Sequence, residues 1–83
     1  FPTPFPVKAM GKMKADGSAD FAQIVLAIIL KHAPDFDPST LEMRPSRQAN
    51  YLSVTATINA TSKQQLDDLY RELTAHPLVL MAL

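Results

Sequence analysis

Residues 51–60 read YLSVTATINA, and apolar and polar side chains alternate along the whole stretch. Successive side chains of a β-strand point to opposite faces, so this period of two indicates a strand with one buried face. The apolar set is Leu52, Val54, Ala56 and Ile58. The other set is Tyr51, Ser53, Thr55, Thr57 and Asn59. The segment therefore predicts a strand whose second face is polar and open to water.

A helix and a last strand are predicted after this segment. Ser62 and Gln65 have the spacing of a capping box, which marks the start of a helix. Apolar side chains then recur at helical spacing, at Leu66, Leu69, Tyr70 and Leu73. His76 and Pro77 end the helix. Residues 78–83 follow as an apolar strand, with Val79, Met81 and Leu83 expected on one side.

The part of the chain before residue 51 predicts strand, helix and strand. Residues 1–4 are a proline-rich extended lead-in, and residues 5–12 alternate as a strand with one buried face. A polar loop over residues 14–18 leads to a helix that Ser18 or Asp20 caps and that ends at residues 31–34. Its apolar positions are Phe21, Ile24, Val25, Ile28 and Ile29. Residues 41–44 form a short strand that Pro45 stops, which is typical of a sheet edge.

The order of these elements is strand, helix, strand, strand, helix, strand. It predicts an α+β fold, a ferredoxin-like βαββαβ sandwich in which two helices cover one face of a four-stranded antiparallel sheet. The first and third strands are expected at the centre of the sheet. A chain of 83 residues supports one core, so residues 1–83 are expected to form a single domain.

Composition excludes several classes of function. Eight basic residues balance eight acidic ones, so no net field draws the chain onto nucleic acid or an anionic membrane. The absence of cysteine excludes disulfides and thiolate chemistry. The longest apolar run, residues 24–30, is far shorter than the roughly 20 residues of a membrane span. We expect a cytoplasmic protein.

Catalytic and metal chemistry find little support in the residue pattern. Each histidine lies at a predicted helix end just before proline, which indicates a helix stop and no metal site. The acidic residues of the second helix, Asp67, Asp68 and Glu72, fit a solvated face in which Lys63 pairs with Asp67 and Asp67 with Arg71. No serine lies in a G-x-S-x-G elbow. We expect neither an enzyme nor a cofactor.

RNA binding is disfavoured for the same fold. RNA-binding domains of this type stack bases on aromatic side chains of the central strands. The predicted third strand offers Tyr51 as its one aromatic residue. Arg44 and Arg47 near the hairpin are better explained as charges that keep a strand edge soluble.

The sheet face that no helix covers is the candidate binding surface. It is expected to carry polar side chains from the third strand beside residues of the neighbouring strands, among them Leu80. The candidate binding residues are Lys8, Met10, Arg44, Tyr51, Ser53, Thr55 and Thr57.

Several ordered sequence blocks together resemble the YbeD family of small bacterial proteins. The blocks include FPTPF at residues 1–5, NYxSV at 50–54, INAT at 58–61, LYxEL at 69–73 and VxMxL at 79–83. The resemblance implies a ferredoxin-like fold similar to small regulatory domains that bind amino acids in metabolic enzymes. It also implies a regulatory role, lipoic acid binding and a link to lipoate metabolism.

These observations favour a non-enzymatic regulatory or interaction module. Such a module binds a small metabolite or a protein partner through the open sheet face, with a link to lipoate metabolism that the resemblance alone supplies. The alternative is a structural domain that self-associates, for example as a homodimer, without a small ligand.

Overall fold

The computed structural model describes residues 2–12, 20–46 and 50–82. Its elements in chain order are β1 (Thr3–Lys12), α1 (Asp20–His32), β2 (Glu42–Pro45), β3 (Tyr51–Ala60), α2 (Lys63–Ala75) and β4 (Val79–Ala82), with one 3-10 turn at Pro38–Thr40. The sheet order is β2-β3-β1-β4, and each neighbouring pair is antiparallel. The predicted α+β, ferredoxin-like fold is therefore confirmed, with the first and third strands at the centre. The predicted loop at 14–18, the caps at Ser18 and the Asp20 side chain, and the positions of Arg47 and Leu83 lie outside the described residues.

The central pair of strands runs in register over its whole length, from Thr3 opposite Ala60 to Lys12 opposite Tyr51. The strand β1 thus begins at Thr3, so the expectation of an extended lead-in before a strand at residue 5 placed its start too late. The prolines at positions 4 and 6 are tolerated because the described part of β4 pairs only with residues 9–11 of β1. Proline lacks a donor, and the unpaired edge of a strand does not need one.

The helices and the inner sheet face enclose one hydrophobic core. Its most deeply buried large side chains come from both helices and both central strands, namely Ile29, Ile58, Leu69, Leu73, Val7, Val25 and Val54. Among the described residues, the core contains no buried polar or charged side chain. The outer sheet face is therefore left as the polar surface of the strands.

The close approach of α1 to β1 depends on Gly11. An added Cβ at Gly11 would lie 2.5 Å from Cδ1 of Phe21 and 2.7 Å from the carbonyl oxygen of Leu78. Phe21 itself is 2 % exposed, so its ring occupies the space that a side chain at Gly11 would need. Glycine at this position lets the first turn of α1 pack directly onto the sheet.

The pairing of β4 with β1 corrects one prediction about the last strand. Met81 lies opposite Met10 and Val79 lies opposite Gly11, so Leu80 is an extra residue at an irregularity in the ladder. A bulge of this kind changes the side on which the following residues point. Val79 is buried, whereas Met81 is 51 % exposed. The expectation that Val79 and Met81 share one side is therefore wrong.

The predicted start of α2 is confirmed, but its predicted ion pairs are not. The Oγ atom of Ser62 accepts from the backbone amide of Gln65 at 3.0 Å, which is the first bond of a capping box, while Gln65 Oε1 accepts from the backbone amide of Thr61 at 2.7 Å instead of that of Ser62. Arg71 lies 3.6 Å from Asp68 rather than pairing with Asp67. Within the described ranges, the ion pairs include neither Lys63 nor Asp67. A helix side chain reaches both i+3 and i+4 neighbours, and the sequence alone does not choose between them.

Candidate functional site

The open sheet face consists of the outward side chains of the four strands. Alternation along β1 and β3 buries every second side chain against the helices and turns the others outward. Because paired residues of neighbouring strands point to the same face, the register fixes which outward side chains are neighbours. The predicted site residues all fall on this face, namely Lys8, Met10, Arg44, Tyr51, Ser53, Thr55 and Thr57.

Two rows of cross-strand neighbours form the middle of this face. The first row runs from Glu42 on β2 through Thr55 on β3 to Lys8 on β1. The second row runs from Arg44 through Ser53 and Met10 to Met81 on β4. The rows are two residues apart along each strand, so Lys8 and Arg44 occupy opposite corners of the area around Ser53 and Thr55.

A depression of about 480 Å³ lies between Lys8 and Arg44. Its lining residues are Lys8, Glu42, Met43, Arg44, Ser53 and Thr55. Four of the predicted site residues are thus brought together in one concavity, and Met10 adjoins it through its pairing with Ser53. Tyr51 and Thr57 lie farther along β3, outside the lining.

The depression has a net positive character and several hydrogen-bonding groups. Within the described part of the lining, Lys8 and Arg44 bring two cations and Glu42 brings one carboxylate. None of these three side chains forms an ion pair with another described residue. Ser53 and Thr55 add hydroxyls that can donate to an anionic oxygen, and a guanidinium can bind a carboxylate through two parallel hydrogen bonds. The concavity is therefore suited to a carboxylate or a similar anionic group.

The depression borders an apolar strip toward β4. Met10 is 38 % exposed and Met81, its cross-strand partner, is 51 % exposed. Methionine side chains are flexible and adapt to apolar ligands of different shapes. The open face thus combines a basic area, where Lys8 of β1 and Arg44 of β2 flank Ser53 and Thr55, with an apolar area at Met10 and Met81.

Sequence reasoning missed three residues of this surface. Glu42 and Met43 line the depression. Glu42 could have been predicted, because it alternates with Arg44 in the short second strand and so lies on the same face. Met81 was missed because the irregularity at Leu80 cannot be read from an apolar run. Leu80, expected beside the site, is exposed at the irregularity itself.

Comparison with known proteins gives the chain relatives over its full length. Residues 1–83 match the profile of a family described as "Protein of unknown function (DUF493)". The chain belongs to the DUF493 family. A UPF0250 protein of Nitrosomonas europaea is 52 % identical over 83 residues, covering 100 % of this chain and 91 % of the relative. A UPF0250 protein of Bordetella pertussis is 47 % identical, covering 100 % of this chain and 87 % of the relative. This membership confirms the resemblance to the YbeD family.

The description of the DUF493 family names no activity. Among the described residues, no group of three or more histidine, cysteine or acidic residues is arranged to hold a metal ion. The helices in the described ranges are too short or too polar to cross a membrane.

The charged groups on the helix side of this DUF493 domain join the two helices. Glu72 accepts from Lys31 Nζ at 3.0 Å and lies 2.9 Å from Nε2 of His32, with both contacts on its Oε1 atom. The hydrogen bond with His32 and the contact with Lys31 lower the pKa of the Glu72 carboxyl. The Gln65 side chain also donates to the carbonyl oxygen of His32 at 2.8 Å. These contacts tie the end of α1 to α2 and give Glu72, whose side chain is 34 % exposed, partners that the prediction of a solvated helix face did not include.

A second, largely apolar concavity of about 390 Å³ lies on the helix side of β2. Its apolar walls come from α1, from the segment before β2 and from β2 itself, through Ala22, Leu26, Leu41 and Met43. Met43 contributes to both concavities because it lies at the edge of the sheet.

Proposed function

We propose that this DUF493 protein is a non-enzymatic regulatory or interaction module that binds an anionic metabolite, or an anionic group of a protein partner, on its open sheet face. The observation that carries the proposal is the depression in which Lys8 and Arg44 flank the hydroxyls of Ser53 and Thr55. The proposal retains the cytoplasmic location and the absence of nucleic acid and membrane partners expected from the sequence.

The basic and apolar areas of the open face favour an amphipathic anion. A carboxylate placed between Ser53 and Thr55 lies within the reach of the two long basic side chains. An apolar chain attached to it would extend toward Met10 and Met81, which adjoin the depression. Burying that chain against apolar side chains contributes about 25 cal/mol for each Å² removed from water.

Lipoate has this chemistry, which supports the link to lipoate metabolism. It carries a carboxylate at one end of an apolar chain. When lipoate is attached to a lysine of an acceptor protein, the carboxylate becomes a neutral amide. The cationic depression is therefore expected to bind the free acid more tightly than an isolated lipoyl amide. An acceptor protein with acidic residues of its own would bring a negative charge to the same depression.

A binding role is proposed instead of a catalytic one because of what surrounds the hydroxyls. Among the residues that the structure describes, those lining the depression include no histidine, the commonest general base for a serine or threonine nucleophile. Lys8 and Arg44 can bind an anion through charge-assisted hydrogen bonds.

Amide chemical-shift titrations of the labelled domain test the proposal. The ligands are free lipoate, neutral lipoamide, and a lipoyl acceptor domain with and without its lipoyl group. We expect free lipoate to shift amides of β3 and of its neighbours around Lys8 and Arg44, with a weaker response to lipoamide. The absence of shifts with all four ligands would remove lipoate from the account. Shifts confined to the helices would contradict the open face as the site.

A further inference from the structure

On the edge of β2 with which none of the described strands pairs, outward backbone groups lie between two opposite charges. The backbone amide of Ser46 donates to the carbonyl oxygen of Tyr51 at 2.8 Å, so Ser46 points its amide toward β3. Backbone amide directions alternate along a strand, so the amides of Arg44 and Glu42 also point toward β3. The amide and the carbonyl of Met43 therefore point outward, away from the sheet.

Two opposite charges flank Met43 on this edge. Glu42 and Arg44 pair with Thr55 and Ser53, so both side chains extend over the open face. Both are exposed, and neither forms an ion pair with another described residue. The edge thus presents a negative charge, an outward amide and carbonyl, and a positive charge in succession.

The other side of the same edge is apolar. Met43 points to the helix side, opposite in direction to its two charged neighbours, and is 55 % exposed. It forms one wall of the helix-side concavity, together with Leu26 and Leu41. Whatever pairs with this edge must therefore cover an apolar groove on one face and match two charges on the other.

We propose that a second copy of this chain pairs with the edge, β2 against β2, antiparallel and centred on Met43. In that register Glu42 lies opposite Arg44 of the second copy, and Arg44 lies opposite Glu42 of the second copy. The two Met43 residues exchange a pair of backbone hydrogen bonds. Both charge pairs lie on the open face and both methionines lie on the helix side, so the result is a symmetric dimer with one continuous eight-stranded sheet.

Charge complementarity identifies the second copy as the occupant. A matching strand needs a basic residue opposite Glu42, an apolar residue opposite Met43 and an acidic residue opposite Arg44. The chain's own edge supplies this order when it is read in the antiparallel direction. A slip of one residue would place Arg44 or Glu42 of one copy opposite Met43 of the other, although these side chains point to opposite faces of the sheet. The alternation of charged and apolar side chains therefore specifies the register. The outward backbone position at Pro45 has no N–H donor, so the pairing is confined to the segment around Met43.

The dimer does not rest on the proposed ligand, but it changes the surroundings of the depression. Arg44 of the second copy comes beside Glu42 at the rim of the depression, where it offsets the carboxylate. The two depressions then lie side by side on the open face, related by the two-fold axis. Molecular mass tests the dimer and chemical shifts test the ligand, so either idea can fail without the other.

A charge-swap experiment tests the proposed register. Sedimentation equilibrium is measured up to millimolar protein for the wild type, for Glu42→Arg, for Arg44→Glu and for an equimolar mixture of the two variants. Each single swap opposes like charges twice across the dimer, and we expect the dissociation constant to rise about tenfold or more. In the mixture all the opposed charges are complementary, so a heterodimer should form. Met43→Pro removes the outward amide and should abolish the dimer, while circular dichroism confirms that the domain still folds.

The proposal is overturned by a wild type that stays monomeric at every concentration. It is also overturned if the dimer persists unchanged in both single swaps, because the interface would then lie elsewhere. Weakened single swaps without recovery in the mixture would exclude this register.

Discussion

Met10 and Met81 are direct cross-strand partners on the open sheet face, although Met81 lies two residues after the buried Val79. In a regular strand two such residues would share a face. The irregularity at Leu80 turns Met81 outward and gives the open face its apolar area. The surface proposed to bind an amphipathic anion therefore depends on one extra residue in the last strand.

The different roles of Val79 and Met81 predict different effects of truncation. Val79→Ala removes buried methyl groups, and we expect it to reduce the free energy of unfolding by about 1 to 3 kcal/mol. Met81→Ala removes an exposed side chain and should change it by about 0.5 kcal/mol or less. Urea unfolding of both variants checks this. Equal losses would mean that Met81 is buried like Val79.

A methyl group at Gly11 should destabilise the fold. The added Cβ would lie 2.5 Å from the ring of Phe21 and 2.7 Å from a backbone oxygen, so α1 or the ring must move. We expect Gly11→Ala to cost about 1 to 3 kcal/mol of unfolding free energy. Phe21→Leu should lower the free energy of unfolding less in the Gly11→Ala variant than in the wild type, because the smaller side chain relieves the clash. Strictly additive losses would contradict the close packing.

Much of the fold could be predicted because it depends on local periodicity. The alternation in residues 51–60 and the Ser62 cap determine elements that the structure places at the same residues. The start of β1 and the direction of Met81 could not be predicted, since they depend on how far β4 extends along β1 and on its bulge. Gly11 could be read as a weak strand end, but not as the contact site of Phe21, because that contact is long-range.

The contacts of Glu72 predict a loss of stability in acid. Its pKa is lowered from the ordinary value of 4.5, first by the hydrogen bond with His32 and then by Lys31. Because the folded pKa is the lower one, this stabilisation is fully present above pH 4.5 and is lost as the pH falls through the lowered pKa. We therefore expect Glu72→Gln to be less stable than the wild type at neutral pH, with the difference shrinking in acid.

Urea unfolding at neutral pH and in acid measures this difference. Asp67→Asn is the matched control, because it removes an exposed carboxylate of the same helix and leaves the contacts of Glu72 in place. A difference between Glu72→Gln and the wild type that does not change with pH would contradict the proposed role of the charged carboxylate.

The candidate site was only partly predictable for a related reason. The outward residues of β3 follow from the alternation, and Lys8 and Arg44 follow from the topology. Their convergence with Glu42 and Met43 around one depression depends on the register of β2, which Pro45 and the short strand length leave open in the sequence. The helix-side contact of Glu72 was missed because its partners, Lys31 and His32, are far away in the chain.

The most direct test of the open face as a binding site is the affinity for free lipoate of two variants that carry the same added charge. Thr55→Glu places a carboxylate inside the basic depression, whereas Ala27→Glu places one on the exposed side of α1. The account predicts that Thr55→Glu weakens binding about tenfold or more while Ala27→Glu retains wild-type affinity, with both domains folded. Equal affinities in the two variants would contradict the assignment of the site to the open sheet face.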